Sequence, residues 1–266
     1  GYMGIDMVRI GNDPYLAMNN ENYLETHEDL YRDAEYAEGM KTLVGYEHLG
    51  VNWSRKSPDN LLEAYEMNKN LASHYKGRGY AYEIWNEEEA QFYEQPADTY
   101  ASFFKAAAIG ISDGDQAAFK MPGGYGGTPE NFFVRLLLRN GVTDYADAYA
   151  YHNHTSVLRG KSYSKFVESV AKKHMNAALA YDAFQPVWVT EAGINMAVDG
   201  NEIPADDTLS SQARYYAVGT VQQLAYGAKK SFWFRMGHFM EDGNEWGTYN
   251  KESQPYPAVN SIAMLT

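Results

Sequence analysis

Short apolar runs alternate with longer amphipathic segments along nearly the whole chain. β-Branched and aromatic residues predict strands over residues 4–10, 40–46, 82–87, 117–121, 148–152, 186–191 and 231–235. Segments with helical periodicity lie between them, over residues 22–38, 60–75, 100–111, 132–138, 165–182 and 212–226. Strands that alternate with helices are typical of a parallel sheet covered by helices, and no linker or internal repeat divides the chain. We therefore predict a single α/β domain over residues 1–266.

Two of these strands end in a glutamate. The runs YEIWNE, at Tyr82–Glu87, and PVWVTEAG, at Pro186–Gly193, each place a carboxylate after a β-branched or aromatic stretch. In α/β barrels the carboxyl ends of the strands form the rim that carries the catalytic residues. Two carboxyl groups that face each other are the minimal equipment for cleaving a glycosidic bond. The pattern indicates a glycoside hydrolase, although either glutamate taken alone could equally be a surface carboxylate at a strand end.

The balance of charge narrows the choice of partner. The 266 residues carry a formal net charge of −13, which repels nucleic acid and anionic membrane surfaces, so neither is expected as a partner. Aromatic residues reach 15%, and rings exposed in a cleft stack on the C–H faces of sugars. The composition therefore agrees with an oligosaccharide or polysaccharide substrate.

No membrane segment, redox centre or phosphate-binding loop is evident. No run of about 18 or more apolar residues occurs, and cysteine is absent. The chain opens on GYMG without a basic and apolar signal region, so any export signal has been removed or was never present; we favour a secreted or periplasmic location. The glycine-rich run 122–127 lacks the Lys-Ser/Thr pair and the helix of a phosphate cradle, and we expect a flexible loop outside the core.

The segments around the two glutamates resemble a known group of enzymes. Trp85-Asn86-Glu87 and Val189-Thr190-Glu191-Ala192-Gly193 are similar to the two signatures of glycoside hydrolase clan A, and the pattern is closest to family 39-like or family 5-like members. The resemblance implies a retaining (β/α)8 TIM barrel in which an acid/base glutamate ends the fourth strand and a nucleophilic glutamate ends the seventh. Glu87 is thus expected to be the acid/base and Glu191 the nucleophile.

Further site residues follow from the same resemblance. Asn86 is expected to bind the sugar 2-hydroxyl next to the scissile bond, and Trp233 resembles the aromatic residue that floors the sugar subsite. Arg9 resembles the arginine of the clan's second strand, and it is the candidate that holds Glu191 ionised and oriented. Side chains in predicted rim loops are candidate subsite walls: Trp53, Tyr125, His238 and Trp246.

Two histidines flank Asn153 at the end of the strand over residues 148–152. The resemblance implies a histidine and then a tyrosine here, so His154 stands where a hydroxyl that binds the nucleophile is expected. We expect His152 and His154 to contribute to substrate binding. A His-x-His pair on a strand points both rings to one face, which is also half of a metal site. No third ligand of suitable spacing is evident, so neither a metal nor another cofactor is predicted.

The residues after the first glutamate depart from the clan. Many members have Pro-Asn after the acid, whereas this chain has Glu88 and Glu89. Three successive carboxylates could raise the pKa of Glu87 by mutual repulsion, which suits a proton donor, or they could be solvated loop charges. The departure leaves Glu88 open as an alternative donor.

The number of strands is one short of a complete barrel. If Glu87 ends the fourth strand, three strands precede it, yet the pattern predicts only two. An unclosed barrel leaves two strand edges unpaired, which is costly. A segment outside this polypeptide could supply the first strand, the loop around residues 47–54 could contain an irregular one, or a loop could cover the seam of a shortened barrel. We favour a barrel that lacks its first strand.

Three other functions remain open at this point. One is a non-catalytic carbohydrate-binding barrel, and another is a metal-dependent hydrolase built on His152 and His154. The third is a transglycosylase that uses the same covalent intermediate. The resemblance implies a β-linked sugar, but the sugar, its linkage and endo or exo action depend on rim loops whose composition does not reveal them.

Overall fold

The computed structural model describes residues 5–12, 29–46, 55–78, 81–90, 92–156, 163–198 and 204–266. The chain divides into two compact units. The first unit comprises Asp6–Ala150 with Ala177–Pro186, and the second consists mainly of Tyr151–Asn176 with Val187–Thr266.

The first unit is built on a four-stranded parallel sheet. Its strands lie in chain order, as β1 (Met7–Asn12), β2 (Lys41–Tyr46), β3 (Ala81–Ile84) and β4 (Phe119–Pro122). The connecting helices are α1 (Asp29–Ala37), α2 (Leu61–His74) and α3 (Ala97–Gly114), and α4 (Phe132–Arg139) follows β4. All four residues of β3 are buried, as expected for a central parallel strand whose two faces are covered.

Glycines allow α2 and α3 to pack closely. A Cβ at Gly110 would lie 2.2 Å from the carbonyl oxygen of Tyr65, and one at Gly114 would lie 2.4 Å from that of Lys69. Helix α2 begins at a polar cap, because the Asn60 side chain accepts the N–H of Leu62 at 3.0 Å. The close packing of α2 against α3 depends on Gly110 and Gly114, because larger residues at these positions would prevent the backbone contact.

The second unit combines parallel and antiparallel strands. Strand β5 (Tyr149–His152) enters it at Tyr151 and forms a three-stranded sheet in the order β5-β7-β9 with β7 (Val187–Ala192) and β9 (Ala228–Trp233). Strands β7 and β9 are parallel. A second sheet has four short strands in the order β10-β11-β8-β6: β6 (Thr155–Ser156), β8 (Ile194–Ala197), β10 (Met240–Glu241) and β11 (Asn244–Glu245).

Three helices accompany these strands. They are α5 (Tyr163–Ala180), α6 (Asp206–Ala225) and α7 (Ala258–Ala263). Their apolar faces form one core cluster with β8, made of Val167, Ile194, Tyr215, Tyr216, Ala258 and Ile262. Within the described residues, no helix is both long and apolar enough to span a bilayer.

Most of the predicted elements are present. All seven predicted strands and the helices between them occur in the expected order, with ends that differ by several residues. Strand β8 was not predicted, and α6 begins at Asp206, six residues before the predicted start at residue 212. Residues 1–4 and 47–54 lie outside the described residues, so the strand expected to be missing before β1 stays a prediction. The single domain also stays a prediction.

Candidate active site

Strand β7 carries Glu191 to its carboxyl end. The side chain is 10% exposed, and Nε2 of His154 lies 3.0 Å from its Oε2. Nδ1 of His152 lies 3.7 Å from the same oxygen. The backbone N–H of Asn153 donates to the Glu191 carbonyl at 2.8 Å, which fixes the two strand ends side by side. His154 therefore makes the contact to Glu191 that the clan resemblance assigned to a tyrosine.

Aromatic rings surround the His154 imidazole. The ring centroids of Phe234 and Trp246 lie 5.1 and 5.2 Å from it, both edge to face. Gly193 also packs closely here, because a Cβ at that position would lie 2.5 Å from the Phe234 carbonyl oxygen and 3.2 Å from Nδ1 of His154. Tyr216 of α6 donates to that same carbonyl at 2.8 Å. The imidazole is thus held by packing while Nε2 faces the carboxylate.

The expected role of Trp233 as the floor of a sugar subsite stays a prediction. Its ring packs against the core cluster of the second unit, and its Nε1–H donates to Oγ1 of Thr220 on α6 at 2.9 Å. Successive side chains along a strand point to opposite faces, so the next residue, Phe234, faces His154 instead. Phe234 was not among the predicted site residues, although alternation along the strand could have separated it from Trp233.

Trp246 and His238, two other expected subsite walls, both have identified contacts in the structure. Trp246 is 9% exposed and contacts His154 and Phe234. His238 pairs through Nδ1 with Oε2 of the buried Glu245. Oε1 of Glu245 accepts the N–H groups of Phe239 and Gly247, so this carboxylate stabilises the hairpin that carries Trp246.

Tyr125 is not a subsite wall, and the expected role of Trp53 stays a prediction. Tyr125 is fully buried, and its ring packs edge to face on Tyr149 at 5.4 Å, so it is a core residue and not a subsite wall. Trp53 lies outside the described residues.

In the first unit, the chain turns sharply after β3 and exposes part of Glu87. Trp85 and Glu87 both have positive φ angles, of 90° and 43°, which few residues other than glycine adopt. Glu87 is half-buried, and a Cβ at Gly126 would lie 2.3 Å from its carboxyl carbon. Such backbone strain is concentrated at functional sites, where the surrounding structure maintains it.

Arg9 has a partner that the sequence analysis missed. Its Nε pairs with Oε2 of Glu83, which is completely buried, and its Nη2 donates to Oδ1 of Asn86 at 2.9 Å. Gly45 makes room for the guanidinium, because a Cβ there would lie 3.2 Å from it. The expectation that Arg9 orients Glu191 stays a prediction. A charged residue inside the apolar strand β3 was the available signal for Glu83, since a buried carboxylate requires a cation or several donors.

Glu88 is buried and Glu89 is half-buried. Glu88 is 1% exposed. Burial raises the pKa of its carboxyl group well above the usual value, and the nearby carboxylate of Glu89 raises it further. The hydroxyl of Tyr100, which donates to the carbonyl of Ile84 at 2.5 Å, belongs to the same buried region. Glu88 therefore lies below the surface with a raised carboxyl pKa, and it is not a solvated loop charge.

Glu88 should make the stability of the fold depend on pH. The folded protein keeps a proton on Glu88 that the unfolded chain releases above about pH 4.3, so stability falls as pH rises from there through the elevated pKa. Glu88→Gln stays neutral at every pH, so its advantage in stability over the parent should grow as pH rises above about 4.3. Thermal midpoints measured across pH test this.

The exposed Glu66 of α2 provides the matched control. Glu66→Gln should follow the parent curve across the whole pH range, because that side chain remains in water. A Glu88→Gln curve that also parallels the parent would show that Glu88 is ionised in the folded protein, contrary to its assignment.

The fold matches those of solved glycoside hydrolases. A family 39 glycoside hydrolase from the gut symbiont Bacteroides cellulosilyticus WH2 has a TM-score of 0.75 and 16% identity, over 99% of this chain and 58% of that one. A glucosidase from Croceicoccus marinus has a TM-score of 0.73 and 13% identity, over 99% and 61%. A GH10 protein from Paenibacillus barcinonensis has a TM-score of 0.66 and 13% identity, over 97% and 86%.

These comparisons establish the fold. No protein-family model and no curated protein sequence matches the chain. The chain spans about three fifths of the length of the family 39 enzyme and of the glucosidase. The likeness confirms the predicted fold class, an α/β chain of the TIM-barrel type, and it confirms the resemblance to clan A at the level of the fold.

Proposed function

We propose that the chain is the catalytic part of a retaining glycoside hydrolase, with Glu191 as nucleophile and Glu87 as acid/base. The observation that carries the proposal is the setting of Glu191. Its nearly buried carboxylate ends a parallel strand and has two imidazoles on one oxygen, the nearer at 3.0 Å. Hydrogen bonds to the charged form keep a carboxylate ionised and oriented, which nucleophilic attack requires.

The first step forms a covalent glycosyl-enzyme ester. An oxygen of Glu191 attacks the anomeric carbon while the bond from that carbon to the leaving oxygen breaks. The electron pair of the broken bond remains on the leaving oxygen, which takes the proton of Glu87. Glu87 suits this role better than Glu88, because Glu87 is half-buried whereas Glu88 is 1% exposed and out of reach of a substrate.

The second step hydrolyses the ester. A water molecule attacks the anomeric carbon, its proton passes to the Glu87 carboxylate, and the bond to Glu191 breaks with return of the carboxylate. The sugar therefore keeps its anomeric configuration after two displacements. A sugar hydroxyl in place of water would give transglycosylation through the same intermediate.

Asn86 is the proposed ligand of the sugar 2-hydroxyl. Its Oδ1 accepts from Nη2 of Arg9, which orients the side-chain amide so that its NH2 group can donate to a hydroxyl. Glu83 in turn holds Arg9, because it pairs with Nε of the guanidinium. This arrangement supports a fixed donor next to the acid/base. His152, His154 and Trp246 are proposed to line the sugar site.

The proposed substrate is a β-linked oligosaccharide or polysaccharide. Solved structures of similar fold include a xylanase from Thermotoga maritima, with a TM-score of 0.62, and a mannanase from Thermotoga petrophila, with a TM-score of 0.61. Aryl β-glucosides, β-xylosides and β-mannosides, together with xylan and mannan, form the first screen. Product analysis by NMR at early times should show retention, and first-formed product of inverted configuration would contradict the proposal.

Activity should not depend on a metal ion. The alternative based on His152 and His154 requires a bound divalent cation, whereas the two-glutamate mechanism requires none. Prolonged treatment with a chelator is expected to leave turnover within about twofold of the untreated protein. Loss of activity that returns on addition of zinc would favour the metal-dependent hydrolase. Sugar binding without turnover of any tested glycoside would favour the binding protein.

A further inference from the structure

The glycine-rich run after β4, residues 123–127, lies against the carboxylates that follow β3. We call it the glycine loop. A Cβ at Gly126 would lie 2.3 to 2.8 Å from the three carboxyl atoms of Glu87, and one at Gly123 would lie 2.3 Å from Oε2 of Glu88. The carboxyl groups of Glu87 and Glu88 thus each lie against a glycine, in space that a larger residue would fill. The expectation of a flexible loop outside the core is wrong at Gly123, which is buried.

The third glutamate holds the loop through a hydrogen bond. Oε1 of Glu89 accepts the backbone N–H of Gly127. A Cβ at Gly127 would lie 3.1 Å from that same oxygen, so the close approach again depends on glycine. Bonds from a carboxylate to a backbone N–H are among the stronger hydrogen bonds in proteins. The loop is therefore fixed at the residue next to the one that contacts Glu87.

We propose that the glycine loop positions the proton donor, with Glu89 as a positioning residue. Gly126 leaves the space that the Glu87 carboxyl group occupies, and the bond from Gly127 to Glu89 keeps the loop at that place. The inference rests on the proposed function, because it takes Glu87 as the acid/base. It adds that the donor's position is set by the Glu88-Glu89 segment, where this chain departs from the Pro-Asn of the clan.

The contacts determine which substitution is informative. At Gly126 the atoms that a Cβ would meet are the end of a flexible side chain, so Gly126→Ala should fold and shift the Glu87 carboxyl group. At Gly123 the Cβ would also meet backbone atoms, at 2.9 Å from the carbonyl carbon of Trp85, so Gly123→Ala would disturb the turn itself. A misplacement of about 1 Å in a catalytic group can cost about 100-fold in rate.

The test compares substrates that need a proton with substrates that do not. A dinitrophenyl leaving group departs from an aryl glycoside without acid assistance, whereas a phenyl or sugar leaving group requires that assistance. For Gly126→Ala, kcat/KM on the phenyl glycoside should fall about 100-fold. On the dinitrophenyl glycoside, kcat/KM should stay within about threefold of the parent value. Glu89→Ala should show the same selective loss at about tenfold, and Glu89→Gln, which keeps an acceptor oxygen, should recover most of it.

Gly237 provides the control glycine, because a Cβ there meets nothing within 4 Å. Gly237→Ala should retain the parent kcat/KM on both substrates. Equal losses on both substrates in Gly126→Ala, or parental values in Glu89→Ala, would overturn the inference and leave the proposed function intact. A parent protein that cleaves no glycoside in the screen would overturn the proposed function and this inference with it.

Discussion

Replacing Glu191 with alanine is expected to lower kcat/KM by at least about 10⁴-fold on every substrate, activated or not. Without the carboxylate no glycosyl-enzyme ester forms, and a better leaving group does not compensate for a missing nucleophile. The loss should appear in steady-state assays on whichever aryl glycoside the parent cleaves. Glu252→Ala, at an exposed position near the carboxyl terminus, is the control and should keep parental turnover.

The stereochemistry of rescue distinguishes a lost nucleophile from a damaged fold. Azide added to Glu191→Ala should displace the leaving group in one step and yield a glycosyl azide of inverted configuration, which NMR identifies. Unfolded protein gives no such product at any azide concentration. Near-parental turnover in Glu191→Ala would remove Glu191 from the mechanism.

Replacing Glu87 with alanine is expected to have the second largest effect, and one that depends on the leaving group. General acid catalysis contributes about 10² to 10⁴ in rate, so kcat/KM should fall by that factor on phenyl glycosides and little on dinitrophenyl glycosides. Hydrolysis of the ester also slows, because the base that activates water is gone. The ester should therefore accumulate on activated substrates, with a burst in the release of dinitrophenol.

Azide also tests which glutamate donates the proton. In Glu87→Ala, azide needs no base to attack the ester, so it should restore kcat on the activated substrate and give a glycosyl azide of retained configuration. Glu88→Ala should show no such rescue, because the Glu88 side chain is buried away from a substrate. Rescue of Glu88→Ala in place of Glu87→Ala would make Glu88 the donor.

The sequence by itself determined the order of elements and the two candidate glutamates. Strand and helix periodicities are local properties, so alternation of apolar and polar positions located all seven predicted strands to within several residues. The signatures around Glu87 and Glu191 are likewise local, because strand, turn and carboxylate are contiguous in the chain. The clan resemblance rested on these runs and predicted the fold that the comparisons confirm.

The tertiary structure decided which side chains meet. Trp233 and Phe234 are neighbours in sequence, and only the packing of β9 against α6 shows that the tryptophan faces Thr220 while Phe234 faces His154. The contact from His154 to Glu191 joins residues 37 positions apart, which no local pattern records. The sequence showed that His154 stands at the position of the expected tyrosine, and only the structure shows that its Nε2 reaches the Glu191 carboxylate.

Burial separated three adjacent glutamates that the sequence treats alike. Glu87 is half-buried over Gly126, Glu88 is 1% exposed, and Glu89 binds the N–H of Gly127. Their different environments arise from the positive φ angles of the turn and from contacts with a loop that is distant in the chain. Glu89 and Gly127, for example, are 38 positions apart. Ionisation depends on solvent and on neighbouring charge, and both are supplied by the fold rather than by the residue type.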